Sequence, residues 1–182
     1  MPSCKNPRAA LENPPPNMSL DLIKHIIAAK NLFFGTSYFL ILALPKGWGI
    51  TRSYLEADIH SSVKKEHLTW VEGGQTDQVI FNPVKRIAMD LTIQVKRGKQ
   101  EGLDVKGVQV SSQGSQVVCG HPASYCFGEV KQGFIKKKTF KTLRLLFYCP
   151  ELNRTLFLNF TGKCQEADLR EIFDSVPSLE CH

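Results

Sequence analysis

The sequence predicts an α+β domain: a mostly antiparallel sheet with helices packed on it. Three segments carry that prediction. Lys85 to Arg97, KRIAMDLTIQVKR, sets Ile87, Met89, Leu91, Ile93 and Val95 in strict alternation against polar neighbours. That is the period of a strand with one buried face. Thr139 to Cys149 and Arg154 to Gly162 are two further apolar runs joined by Pro150-Glu151-Leu152-Asn153, the length and chemistry of a hairpin turn. Leu169, Ile172, Phe173 and Val176 then recur at helical spacing within Glu166 to Val176, and Pro177 closes the segment.

The remaining elements follow in chain order. Residues 1–17 offer a proline run, Pro14-Pro15-Pro16, and little to bury, so they are expected to be a disordered leader ahead of a single domain spanning 18–182. Ser19 is placed to cap a helix over Leu20 to Asn31, in which Leu22, Ile23, Ile26 and Ile27 step by three and four. Ser37 to Leu44 is too uniformly apolar for a half-exposed strand and reads as a central strand covered on both faces. Pro45 and Gly47 end it, and Trp48 packs over the turn as a core residue. His67 to Glu72 is followed by a Gly73-Gly74 turn, Gly102 to Gly114 fits a helix fragment or a strand, and Ser115 to Val130 reads as strand.

The bulk numbers limit function more than they specify it. The 182 residues are 42% hydrophobic and 22% charged, an ordinary composition for one globular domain. Twenty-three Lys and Arg against 17 Asp and Glu give a net charge of +6, which favours an acidic partner but is modest for a dedicated nucleic-acid binder. No apolar h-region follows the basic N-terminus, and the most apolar window, Leu32 to Leu44, falls well short of the ~20 residues a bilayer helix needs. No membrane span and a cytoplasmic location are therefore expected.

Two groups of residues are candidates for chemistry. The first is drawn from six cysteines: Cys4, Cys119, Cys126, Cys149, Cys164 and Cys181. No C-x-x-C is present, so the strong zinc and thioredoxin patterns are missing. Cys119, His121, Cys181 and His182 could nevertheless gather around zinc, which thiolate and imidazole suit. Alternatively, Cys181 returns to the sheet near Cys149 or Cys119 and forms a disulfide; Cys126 and Cys149 read best as buried thiols. No cofactor is expected beyond zinc at this set. The second group is the basic stretch from Lys131 to Arg144, in which Lys131, Lys136, Lys137, Lys138, Lys141 and Arg144 supply six charges with no acid. Phe134 and Phe140 lie among them, as a single-strand nucleic-acid binder would need, although a solvated hairpin turn explains the lysines as well. No nucleophile elbow, Walker loop, dinucleotide fingerprint or H-E-x-x-H occurs, and no catalytic residue is assigned.

The run YFLILALPKGW at 38–48, ending in Pro-x-Gly-Trp, resembles the first strand of the PsbP-like fold family, an α-β-α sandwich. Gly120-His121-Pro122-Ala123 is similar to the Gly-x-x-Ala with which that family enters a central strand, and the closing hairpin and helix match its order. The resemblance covers about 19–176, apart from the stretch between Ile50 and Phe81. It implies a binding or assembly module that recognises a protein or small ligand, without shared catalytic machinery.

Overall fold

A computed structural model describes residues 21–31, 35–51, 69–72, 75–133 and 137–182. The leader, Ser19, His67, the Gly73-Gly74 turn, Phe134 and Lys136 lie outside the described residues. The described chain forms ten strands: β1 (Leu22–Asn31), β2 (Gly35–Pro45), β3 (Gly49–Thr51), β4 (Thr69–Glu72), β5 (Gln75–Asn82), β6 (Ile87–Arg97), β7 (Val108–Val118), β8 (His121–Gln132), β9 (Lys138–Cys149) and β10 (Arg154–Gly162). Helix α1 (Glu166–Ser175) follows, then a 3-10 turn over Val176–Ser178. The strands make a three-stranded sheet, β2-β1-β4, and a seven-stranded sheet, β3-β5-β6-β10-β9-β8-β7. Every pair is antiparallel except β1 with β4. The α+β class and the mostly antiparallel sheet are as the sequence predicts. Among the described residues no helix is long and apolar enough to cross a membrane.

One predicted element is of the wrong type. Leu22 to Asn31 is a strand where the spacing predicts a helix, and its ladder with β2 runs from Leu22↔Pro45 to Asn31↔Gly35. The residues that suggested a helical stripe are split by strand alternation between two faces, Ile23 and Ile27 on one and Leu22 and Ile26 on the other, and Ile27 is fully buried while Ile26 is 39% exposed. The β-branched isoleucines pair well across strands, and the long apolar run of β2 offers them a partner, so tertiary pairing overrides a helical spacing only ten residues long.

β2 is buried as expected: Leu40, Leu42 and Leu44 are fully covered and Ala43 nearly so. Its place in the sheet differs from the expectation, because it lies at the end of the order and not in the middle. The C-terminal segment covers its free edge, where Ile41 and Glu180 exchange backbone hydrogen bonds of 2.9 and 3.0 Å. Pro-Lys-Gly-Trp is the point at which the chain leaves one sheet for the other. Trp48 N–H closes the turn on the Pro45 carbonyl, Gly47 takes φ +95°, and the Trp48 side chain is buried beneath Lys85.

One face of the larger sheet carries the core. Met89, Leu91 and Ile93 of β6, Leu156, Leu158 and Phe160 of β10, and Leu143, Leu145 and Phe147 of β9 sit side by side and are buried. α1 closes this core with Leu169 and Ile172. Its start is fixed by a capping box between Gln165 and Asp168, and Lys85 ties Asp168 and Glu171 to the β5–β6 turn. The segment from Ser115 to Val130 is divided by a two-residue turn, Cys119-Gly120, with φ of +52° and +76°. Both positive angles identify the mirror-image turn that suits the twist of a hairpin. Gly102 to Gly114 resolves into a loop and the start of β7, not a helix fragment.

Candidate metal centre

Antiparallel pairing brings two turns to the same end of the larger sheet. The ladder between β8 and β9 ends at Ala123↔Phe147, so the Cys119-Gly120 turn with His121 lies beside Cys149 and the turn that follows it. The chain terminus reaches the same place by another route: Leu179 is buried, Glu180 bridges to Ile41, and Cys181 then lands on the Cys119 turn.

The side chains converge. Cys181 Sγ is 3.3 Å from Cys119 Sγ and 3.4 Å from His182 Nδ1. Cys149 Sγ is 3.5 Å from the same His182 nitrogen and 3.4 Å from Glu151 Oε2. The rings of His121 and His182 lie with centroids 5.6 Å apart and planes tilted by 45°. His121 is 93% buried, and its Nε2, though 3.3 Å from Glu151 Oε2, has no hydrogen bond. Ligand atoms of Cys119, His121, Cys181 and His182 all lie within 4.8 Å of one another, as do those of His121, Cys149, Glu151 and His182.

A tetrahedral zinc ion with bonds of about 2.0–2.3 Å separates its ligand atoms by roughly 3.3–3.8 Å. The contacts of Cys181 with Cys119 and His182, at 3.3 and 3.4 Å, fall at that spacing, and the whole set lies within 4.8 Å. Burial, and then the neighbouring Cys119 and Cys149 thiols, push the Cys181 thiol well above its ordinary range, so its thiolate is disfavoured without a cation. Glu151 shifts the other way: its own backbone N–H holds its carboxylate low, with smaller contributions from Cys149, His121 and His182. The backbone of Cys119 adds a further sign. A cysteine at φ +52° occupies a left-handed conformation that costs an L-residue roughly 1–2 kcal/mol and that asparagine or glycine would take more readily.

All five residues of the sequence-derived set, Cys119, His121, Cys149, Cys181 and His182, are therefore brought together. The described cysteines, Cys119, Cys126, Cys149, Cys164 and Cys181, are all free thiols. Glu151 was not among the candidates; its one sequence signal is its place two residues after Cys149. Cys126 is a buried thiol, as expected, its pKa raised by burial, and it belongs to neither ligand set.

The basic stretch is not brought together in this way. Lys141 pairs with Glu129 at 2.6 Å, which raises its pKa, and Arg144 Nη1 donates to the Asp104 carbonyl at 2.6 Å. Both charges are engaged within the fold, while Lys131, Lys137 and Lys138 are exposed. The parent is accordingly expected to bind single-stranded DNA no better than any protein of net charge +6, and changing Lys136, Lys137 and Lys138 together to Glu, which brings that charge to zero, to leave the fold intact while removing only this non-specific attraction. A titration against salt checks this. Micromolar binding by the parent with a log–log slope near −2, about −0.7 for each of three phosphate contacts, lost in the triple variant, would make the stretch a nucleic-acid surface.

No family model matches the chain, and no curated protein matches it. Among solved structures it is similar to the solution structure of cyanobacterial PsbP (CyanoP) from Synechocystis sp. PCC 6803. The match has 11% identity and a TM-score of 0.44 and covers 79% of this chain and 86% of that one.

Proposed function

We propose that the protein is a non-catalytic binding module whose centre holds one zinc ion through Cys119, His121, Cys181 and His182. The observation that carries this reading is the convergence of two thiols and two imidazoles within 4.8 Å from two parts of the chain, the Cys119-Gly120 turn with His121 and the Cys181-His182 pair. Thiolate and imidazole favour zinc over calcium or magnesium, which take oxygen ligands. Four protein ligands fill a tetrahedral shell and leave no open position for a substrate, so the ion would serve to hold structure. It would fasten the chain terminus to the Cys119 turn, which in turn positions the strip that covers the β2 edge. The second set, through Cys149 and Glu151, offers one thiolate fewer and a carboxylate from a side chain that is half exposed.

Native mass spectrometry of protein purified under reducing conditions tests the reading. One zinc per chain is expected to survive dialysis, with affinity reduced at least tenfold by Cys119→Asn or His121→Gln and left nearly unchanged by Glu151→Gln. Loss of zinc in Glu151→Gln with retention in Cys119→Asn would assign the ion to the second set. A parent that retains no zinc would overturn the proposal.

A further inference from the structure

We propose that Cys119 and Cys181 also form an oxidative modification site, a thiol pair that a hydroperoxide converts to a disulfide whenever the metal is absent. Protection by the metal rests on the zinc reading above; the thiol chemistry does not. The two sulfurs are 3.3 Å apart, and the Cys181 N–H also points at Cys119 Sγ at 3.3 Å. Forming a bond of about 2.05 Å therefore requires the sulfurs to close by little more than about 1 Å.

The pair is asymmetric. Cys119 stands in a tight turn and is partly exposed, whereas Cys181 is buried. Cys119 is the sulfur that an oxidant reaches first. Its thiol takes oxygen from the hydroperoxide: the O–O bond breaks, a sulfenic acid forms, and the peroxide leaves as an alcohol, or as water when it is hydrogen peroxide. The Cys181 sulfur then attacks the Cys119 sulfur. The S–S bond forms as the S–O bond breaks, and the departing hydroxyl leaves with the Cys181 proton as water. One hydroperoxide is reduced and two thiols are oxidised. Cys149 also neighbours Cys181 but is wholly buried and held by contacts to Glu151 and His182, so it is not the first sulfur attacked.

The consequence is regulatory. The metal and the disulfide join the same two points of the chain, 62 residues apart, so the terminus stays fastened to the β7–β8 turn under reducing conditions with zinc and under oxidising conditions without it. Only the reduced, metal-free protein leaves that strip held by hydrogen bonds and packing alone.

The test is intact mass and peptide mapping after limited hydrogen peroxide, on metal-free and zinc-loaded protein. The metal-free protein is expected to lose two hydrogens and yield a Cys119–Cys181 cross-link, which Cys149→Ser retains and Cys119→Asn lacks. Circular dichroism confirms that each variant is folded. With free zinc at ten times its Kd, about one site in eleven is open, so cross-linking slows roughly tenfold. A Cys149–Cys181 cross-link, or over-oxidation of Cys119 without any cross-link, would overturn the assignment. Cross-linking that zinc fails to slow, in a protein shown to bind no zinc, would sink the metal reading and leave the thiol pair standing. The same failure in a protein that does bind zinc would sink the coupling between the two.

Discussion

Replacing Leu40 by aspartate is expected to abolish soluble folding, and replacing Leu42 by aspartate to do nearly the same. Both side chains are fully buried on the core face of β2. Removing a buried leucine costs about 2–5 kcal/mol, and burying a carboxylate without a partner adds several more. Against a total stability of about 5–15 kcal/mol, the sum leaves little or nothing folded. The two positions differ in what lies opposite. Leu42 faces His25 across the β1 ladder, and Leu40 faces Ile27. An aspartate at 42 would meet an imidazole and recover part of its cost as a buried pair, while one at 40 would meet only hydrocarbon. Soluble yield and thermal melting by circular dichroism check the order: Leu40→Asp worst, Leu42→Asp next, parent far above both. A Leu40→Asp protein that melts within a few degrees of the parent would mean that β2 does not lie against the core.

How far the sequence reveals this fold depends on whether local pattern and long-range pairing agree. In β6 they do. Met89, Leu91 and Ile93 alternate in sequence and are buried in space, because one face meets the core and the other meets loops and water. The turn from Pro150 to Asn153 is also legible, since Asn153 takes φ +48°, a conformation that asparagine tolerates better than most residues. In β1 they disagree. Leu22, Ile23, Ile26 and Ile27 fit a helical stripe as well as they fit a strand, and only the neighbour β2, several residues further on, decides between the two. β7 is hidden for the opposite reason. It is an edge strand of serine and glutamine with little buried on either face, so it carries almost no hydrophobic period. The Cys119-Gly120 turn escapes notice because cysteine is not a residue that normally signals positive φ.

The candidate centre was legible as a set of residue types but not as a place. Thiols and imidazoles at 119, 121, 181 and 182 suggest zinc on chemistry alone. That they meet depends on the backbone bridge between Glu180 and Ile41, which no local pattern announces. Glu151 was missed because a glutamate in a turn usually faces solvent; it joins the centre only through its position beside Cys149. The basic stretch shows the converse. Its charge pattern is plain in the sequence, but Glu129 and the Asp104 carbonyl, which engage two of its six cations, come from a neighbouring strand and a distant loop.

If zinc fastens the terminus to the Cys119 turn, its binding energy becomes folding energy, and that gives the second large effect. A ligand that binds only the folded chain stabilises it by RT ln(1 + [L]/Kd), about 4 kcal/mol at a thousandfold excess over Kd. For a chain of this length each kcal/mol moves the melting temperature by about 2–4 °C, so saturating zinc is expected to raise it by roughly 8–16 °C, and chelation to reverse the gain. The informative quantity is the zinc-dependent increment, not the absolute melting temperature, because packing defects from a substitution cancel in the difference. Cys119→Asn is the decisive variant. Asparagine suits the left-handed turn better than cysteine does, so the metal-free variant should melt at or above the metal-free parent. It should nevertheless lose at least about a third of the increment, roughly 3–6 °C for a tenfold weaker site, since its side chain replaces a thiolate with a neutral amide. Cys126→Ser, at a buried thiol outside the cluster, should melt lower than the parent yet keep the full zinc increment. An increment that survives undiminished in Cys119→Asn would place the ion elsewhere and leave the cysteine at this strained position without a metal to explain it.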